Sequence, residues 1–387
     1  MTENIAVTKF REFLRINTEQ PNPDYYGCRD FLFNYAKELG ITPWGYECVD
    51  KKPFVGMTLF GTRPELSSIL LYCHTDVVPT FGEFWTYPPY EAFKDEKGNI
   101  FARGAQDMKC VGIQYIEALR VLKASNENKP FVRTIHILWG PDEEIGGHDG
   151  MEKFVETDCF KQLNVGFVLD EGLASENDVY RLFYAERCVW WFKIICPGSP
   201  GHGSRFIENS AGPKLTSILQ SVNAFREQQR KKLEENSDKL NLGDVTSINL
   251  SKVEGGVQTN VIPSEFTIEE MIKNWCKNAG KGVTYEFLQK GLCRKLTPTD
   301  TSDPWWNALT SVFKEENCKF QKEIFIGGTD ARYCRGAGIP AIGFSPMINT
   351  PILLHDHNEY LNENVFLEGV RLYTKIIPRL ANLEEFK

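Results

Sequence analysis

Three apolar stretches of strand length run straight into imidazole or carboxylate side chains. Residues 67 to 73 lead into His74-Thr75-Asp76, residues 133 to 139 into Pro141-Asp142-Glu143-Glu144, and residues 165 to 169 into Asp170-Glu171. Apolar runs without polar alternation belong to strands covered on both faces, the situation of a parallel sheet between layers of helix. Helical spacing fills the intervals. Phe10, Phe13 and Leu14 share one face, a second helix spans about residues 24 to 39 before Gly40, and others follow over residues 108 to 124 and 151 to 156. This alternation predicts an α/β fold with a mostly parallel sheet, and open sheets of that kind gather ligands at the carboxyl ends of their strands.

The middle of the chain has another character. Residues 190 to 196 read as a strand, residues 212 to 232 as a long amphipathic helix with Leu215, Ile218, Leu219, Val222 and Phe225 on one face, and residues 245 to 253 and 260 to 268 as strands. A helix near residues 270 to 277 and a strand over 283 to 289 complete a small α+β unit, and Pro298 and Pro304 mark the return to the first pattern, which ends in a helix over residues 365 to 383. A chain of 387 residues exceeds what one core sustains. The expected organisation is a catalytic domain in two parts, 1–187 and 299–387, with an inserted lid or dimerisation domain at 188–298.

With 52 acidic against 44 basic residues the net charge is -8, which disfavours nucleic acid and anionic membrane as partners. The basic run Arg230-Lys231-Lys232 stands among Gln228, Gln229, Glu234 and Glu235 and reads as a solvated helix face. No apolar run approaches the roughly 18 residues of a membrane span, and residues 1 to 17 lack a signal-peptide core. The 11 cysteines form no Cys-x-x-Cys pair and suit reduced thiols, so a cytoplasmic location is expected.

The strand-end residues carry the chemistry. A spacing of two aims His74 and Asp76 the same way, so that one can bind metal while the other orients it. Asp107, in Ala102-Arg103-Gly104-Ala105-Gln106-Asp107-Met108-Lys109, stands at a helix entry, where an N-cap role is the alternative. Adjacent Glu143 and Glu144 repel each other unless cations lie between them, and the following Gly146-Gly147 permits close backbone approach. His355, in Leu353-Leu354-His355-Asp356-His357, supplies a second imidazole. Two imidazoles, several carboxylates and one spare glutamate form a donor set for metal-assisted hydrolysis of an amide. His136, flanked by apolar residues within a strand, reads as a core histidine, and Cys73 and Cys110 as buried thiols.

Six ordered stretches together resemble the aminoacylase-1 branch of the co-catalytic zinc peptidase and amidohydrolase family. They are the run from Ser68 through His74-Thr75-Asp76-Val77-Val78-Pro79, Ala102 to Lys109, Pro141-Asp142-Glu143-Glu144, Leu169-Asp170-Glu171-Gly172, Pro200-Gly201-His202, and Leu353-Leu354-His355-Asp356-His357. The resemblance implies two zinc ions per subunit, one held by His74, Asp107 and Glu171 and the other by Asp107, Glu144 and His355, with Asp76 orienting His74. It implies Glu143 as general base on a metal-bridging water, His202 as the lid histidine that stabilises the oxyanion in a partner subunit of a homodimer, and Asn260 and Thr329 as substrate contacts. The implied substrates are N-acyl-L-amino acids, chiefly N-acetylated neutral aliphatic ones. A dipeptidase of the same family is one alternative, and a metal-loaded binding or scaffold protein is another.

The chain departs from that pattern at one place. After the run ending Phe266-Thr267-Ile268, Glu269-Glu270-Met271 follows directly where relatives continue to an Asp-x-Arg signature. Loss of that arginine, which clamps the substrate carboxylate in relatives, is expected to weaken turnover roughly ten- to a hundredfold or more, unless Arg205 or Arg332 stands in.

Overall fold

The structure, a computed structural model, describes residues 3–125, 130–188, 190–251, 253, 271–290 and 295–386. The chain separates into two compact units. The first comprises Met1–Ala185, Arg294–Phe325 and Thr329–Lys387; the second comprises Glu186–Cys293 and Ile326–Gly328.

The first unit is built on an eight-stranded sheet whose centre is parallel. Strand Ser68–His74 pairs in parallel with Ile135–Gly140 on one side and Val165–Asp170 on the other, and the latter pairs in parallel with Ala341–Gly343. Beyond Ile135–Gly140 lies the antiparallel hairpin Pro43–Val49 with Lys52–Leu59, and beyond Ala341–Gly343 lies antiparallel Val179–Glu186, followed by Lys319–Phe325 at the edge. Along the central strand the buried side chains divide by parity. Ile69, Leu71 and Cys73 join one core with residues of helices Ile5–Leu14, Lys109–Ala124 and Glu363–Ala381, whereas Leu70 and Tyr72 join a second core with Met151, Phe154, Ala331 and Tyr333. Both faces of the sheet are therefore covered, as the unbroken apolar runs require.

The second unit has a smaller core of Ile194, Cys196, Ile218, Val222 and Cys276. Its described sheet is the antiparallel pair Trp190–Ile195 and Thr284–Lys290, with helices Ala211–Glu235 and Met271–Ala279. Among the described residues, 245–251 and 253, the strand expected over 245 to 253 is not seen. These residues pair with none of the described strands. The strand expected over 260 to 268 lies outside the described residues. Arg230 bonds Glu227 and Glu234 along the exposed helix face, so its charge is spent locally.

Candidate active site

The register of the parallel strands sets His74 opposite Gly140 and Leu71 opposite Leu169, so three strand ends open on one edge. His74 ends its strand fully buried, with Nδ1 2.9 Å from the Asp76 carbonyl oxygen. A carbonyl only accepts, so Nδ1 carries the proton and donates it there. Nε2 then faces Asp107 Oδ1 at 3.0 Å and Glu171 Oε1 at 3.8 Å. Burial opposes a charge on this ring, but the bonds to Asp107 and Glu171 prevail and push its pKa well above the ordinary histidine range.

Asp107 does not cap the helix that follows, because Met108 occupies the N-cap position without a side-chain bond. Its carboxylate is split between two imidazoles instead: Oδ1 meets His74, and Oδ2 lies 3.3 Å from His355 Nε2. Glu144 Oε2 lies 3.1 Å from the same His355 nitrogen. Two ligand sets result, His74 with Asp107 and Glu171, and Asp107 with Glu144 and His355, each with ligand atoms within 4.8 Å of one another. Burial first, and then Asp107, push the Glu144 carboxyl up to about 7, and burial and Asp107 raise Glu171 likewise. Glu144 Oε1 is buried without a hydrogen-bond partner. A ring nitrogen whose proton is held between two carboxylates, and an orphaned carboxylate oxygen beside a second imidazole, are positions where a divalent cation would replace the proton and satisfy the donors, so the residues fit the metal positions.

Glu143 is buried beside this set and belongs to neither. Burial, then repulsion from Glu171, hold its carboxyl well above the usual range. Asp142 at φ 68° and Gly146 at φ 105° bracket the single turn Glu143–Ile145 that presents both glutamates. Asp76 positions that turn: its carboxylate accepts the N–H of Glu143 at 3.1 Å and of Glu144 at 3.2 Å, while the nearest contact of that carboxylate to the His74 ring is 3.8 Å. The imidazole is thus oriented by the Asp76 carbonyl rather than by its side chain. Gly147 is required for a different approach, since a Cβ there would stand 2.4 Å from Asp330 Oδ1.

Of the other expected residues, Thr329 is buried in the first unit at the start of helix Ala331–Gly336, and its carbonyl accepts from Arg332. His202 is exposed in the second unit, with Nδ1 2.7 Å from Ser204 Oγ. Asn260 lies outside the described residues, as does the stretch from 254 to 270 that includes the expected departure after Ile268. Arg332 Nη1 stands 3.9 Å from Glu143 Oε1.

The site also uses residues that sequence reasoning passed over. Tyr25 OH, Gln20 and Lys52 hold Asp142, and Glu359 receives the backbone of the Asp107 loop. Glu359 stands four positions after His355, at the end of the polar run Asp356-His357-Asn358 and just before strand Tyr360–Asn362, where nothing singled it out; Gln20 and Tyr25 had no signal either.

Residues 70–379 match Peptidase family M20/M25/M40. The chain belongs to this family. Aminoacylase-1 of Sus scrofa is 49% identical over 396 residues, spanning 98% of this chain and 96% of its own. Aminoacylase-1 of Dictyostelium discoideum is 43% identical over 408 residues, 99% of each. Among solved structures, the M20 family metallo-carboxypeptidase Sso-CP2 from Sulfolobus solfataricus superposes with a TM-score of 0.74 at 15% identity over 98% of this chain and 100% of that one. Human carnosine dipeptidase 1 does so with 0.67 at 16% over 98% and 97%. Both share the fold. As a member of the M20 family with these relatives, the chain is a metal-dependent amidohydrolase. Among the described residues, no helix is long and apolar enough to cross a membrane.

Proposed function

We propose that this chain hydrolyses N-acyl-L-amino acids, chiefly N-acetylated neutral aliphatic ones, with two zinc ions per subunit. The observation that carries the reading is the division of Asp107 between His74 and His355, which lets one carboxylate serve two cation positions. His74, Asp107 and Glu171 would hold one ion, and Asp107, Glu144 and His355 the other. When bound, the ions supply Lewis acidity that polarises the scissile carbonyl and acidifies the attacking water.

Glu143 takes that water's proton on its carboxylate and later returns it to the leaving nitrogen, so that a free amino acid departs. Its burial supports this assignment, because a carboxylate held above its ordinary pKa is the stronger base. Asp76 keeps Glu143 in place through the backbone. His202 of the partner subunit of a homodimer would donate to the tetrahedral oxyanion, and its exposure supports such a reach. Asn260 and Thr329 would contact substrate, and the identity to the two Aminoacylase-1 proteins supports the substrate class.

The test is steady-state hydrolysis of N-acetyl-L-methionine by the purified, zinc-loaded chain, beside Glu143→Ala and a version with the missing lid segment restored. Activity in the chain that falls by about 10²- to 10⁴-fold in Glu143→Ala is expected. Inactivity of both the chain and the restored version would sink the reading. Activity in the restored version alone would favour a metal-loaded protein that binds without turnover.

A further inference from the structure

The loop that brings Asp107 to the site is gripped by a carboxylate that the proposed reaction does not use. Glu359 is fully buried. Its Oε1 accepts the backbone N–H groups of Gln106 at 2.6 Å and Asp107 at 3.2 Å, and its Oε2 accepts the Gly104 N–H at 3.1 Å and Arg103 Nη1 at 2.8 Å. Arg103 is buried as well, donates from Nη1 to the Asp356 carbonyl at 3.0 Å, and lies over the Trp85 ring at 5.3 Å. Gln106 crosses the same seam, donating to the carbonyls of Pro351 at 3.0 Å and Tyr360 at 2.9 Å and accepting the Leu353 N–H at 3.1 Å.

These bonds join two stretches far apart in the chain, one bearing Asp107 and the other His355. Both bend through left-handed backbone, Gly104 at φ 90° and His355 at φ 60°. The non-glycine bend at His355 persists where its surroundings over-determine it, and the Glu359 carboxylate bonds the Asp107 loop directly and reaches the Asp356 carbonyl beside His355 through Arg103.

We propose that Glu359 is a positioning residue: it sets the spacing of Asp107 and His355, and through it the zinc affinity of the position formed by Asp107, Glu144 and His355. This rests on the two-cation reading above. The glutamate is an acceptor at both oxygens, and each oxygen already meets two donors. An amide in its place would turn an NH₂ toward donors and force the seam apart. Loss of such an outer partner typically weakens metal binding about 10- to 100-fold.

The experiment titrates zinc into the metal-stripped full chain against a chromophoric chelator, for wild type, Glu359→Gln and Arg103→Lys, well below each variant's unfolding midpoint. Wild type is expected to take two equivalents. Glu359→Gln is expected to bind one of the two equivalents about 10- to 100-fold less tightly, and Arg103→Lys, which keeps the charge but loses the planar guanidinium that reaches Glu359 and Asp356 from Nη1 and Pro79 from Nη2, to shift it the same way by less. Two equivalents in wild type with unchanged affinity in Glu359→Gln would overturn the inference alone, even if its unfolding midpoint fell, since that is what a merely structural role would give. If Glu359→Gln does not fold, an unchanged affinity in Arg103→Lys overturns it. Fewer than two equivalents in wild type overturns the two-cation reading and the inference with it.

Discussion

His136 is held as a neutral ring. The Trp44 indole N–H donates to Thr58 Oγ1 at 3.0 Å, the Thr58 hydroxyl in turn faces Nδ1 at 2.9 Å, and Nε2 donates to the Leu163 carbonyl at 3.1 Å. Burial lowers its pKa from 6.5 to about 4. Between those values the unfolded chain binds more protons than the folded one, so the stability this ring contributes is full above 6.5 and is lost as the pH falls toward 4. Unfolding in urea at pH 7 and pH 4.5 is expected to show the advantage of wild type over His136→Gln shrinking by about 2–3 kcal/mol on acidification. A gap indifferent to pH would refute the assignment. This histidine was legible in the sequence because its neighbours are apolar in a strand period, and burial of Cys73 in its strand and of Cys110 in its helix was legible because each suits an apolar position of its element. Asp107 was not: a carboxylate at a helix entry suits a cap or a ligand equally, and only the positions of two histidines, 33 positions before it and far later in the chain, decide which.

At the scale of elements, the turn that presents Glu143 and Glu144 depends on helix Tyr25–Glu38. Tyr25 OH donates to Asp142 Oδ1 at 2.7 Å and accepts the Asp142 N–H at 2.9 Å, and Lys52 bonds the other carboxylate oxygen. Tyr25→Phe leaves a buried N–H and a carboxylate oxygen short of a partner, for an expected loss of about 1–3 kcal/mol in stability. Because Asp142 adjoins Glu143, kcat is expected to fall more than KM rises; denaturation and steady-state kinetics on one preparation check both. An unchanged kcat would show that the turn holds without this prop. The contact joins residues 117 positions apart, and no local period announces such a pair. Strand ends were readable because apolar runs stop where the sheet does. The antiparallel hairpin Pro43–Leu59 was not readable, since the edge strand Pro43–Val49 has no buried residue and Gly56 interrupts the short buried run Pro53–Met57 of its partner.

For the whole molecule, every proposed ligand together with Glu143 and Asp76 belongs to the first unit, yet the ligands come from five stretches between His74 and His355. Bringing Asp107, Glu143, Glu144 and Glu171 together without cations sets like charges in a buried space, which is why burial and mutual repulsion raise three of these carboxyls. A cation that binds only the folded arrangement stabilises it by about 4 kcal/mol at a thousand times its dissociation constant. That gain belongs to the segments it ties together. Hydrogen–deuterium exchange of the zinc-loaded and chelator-stripped chain is therefore expected to differ over residues 69–76, 102–110, 139–147, 168–172 and 353–359, with loaded protein the slower. Helix Ala211–Glu235, in the second unit with its own core, is expected to exchange alike in both. Equal protection of both units, or none in the first, would mean that the cations are not held by these five stretches. Lowering the pH should erase the difference, because protons compete for His74, His355 and the carboxylates.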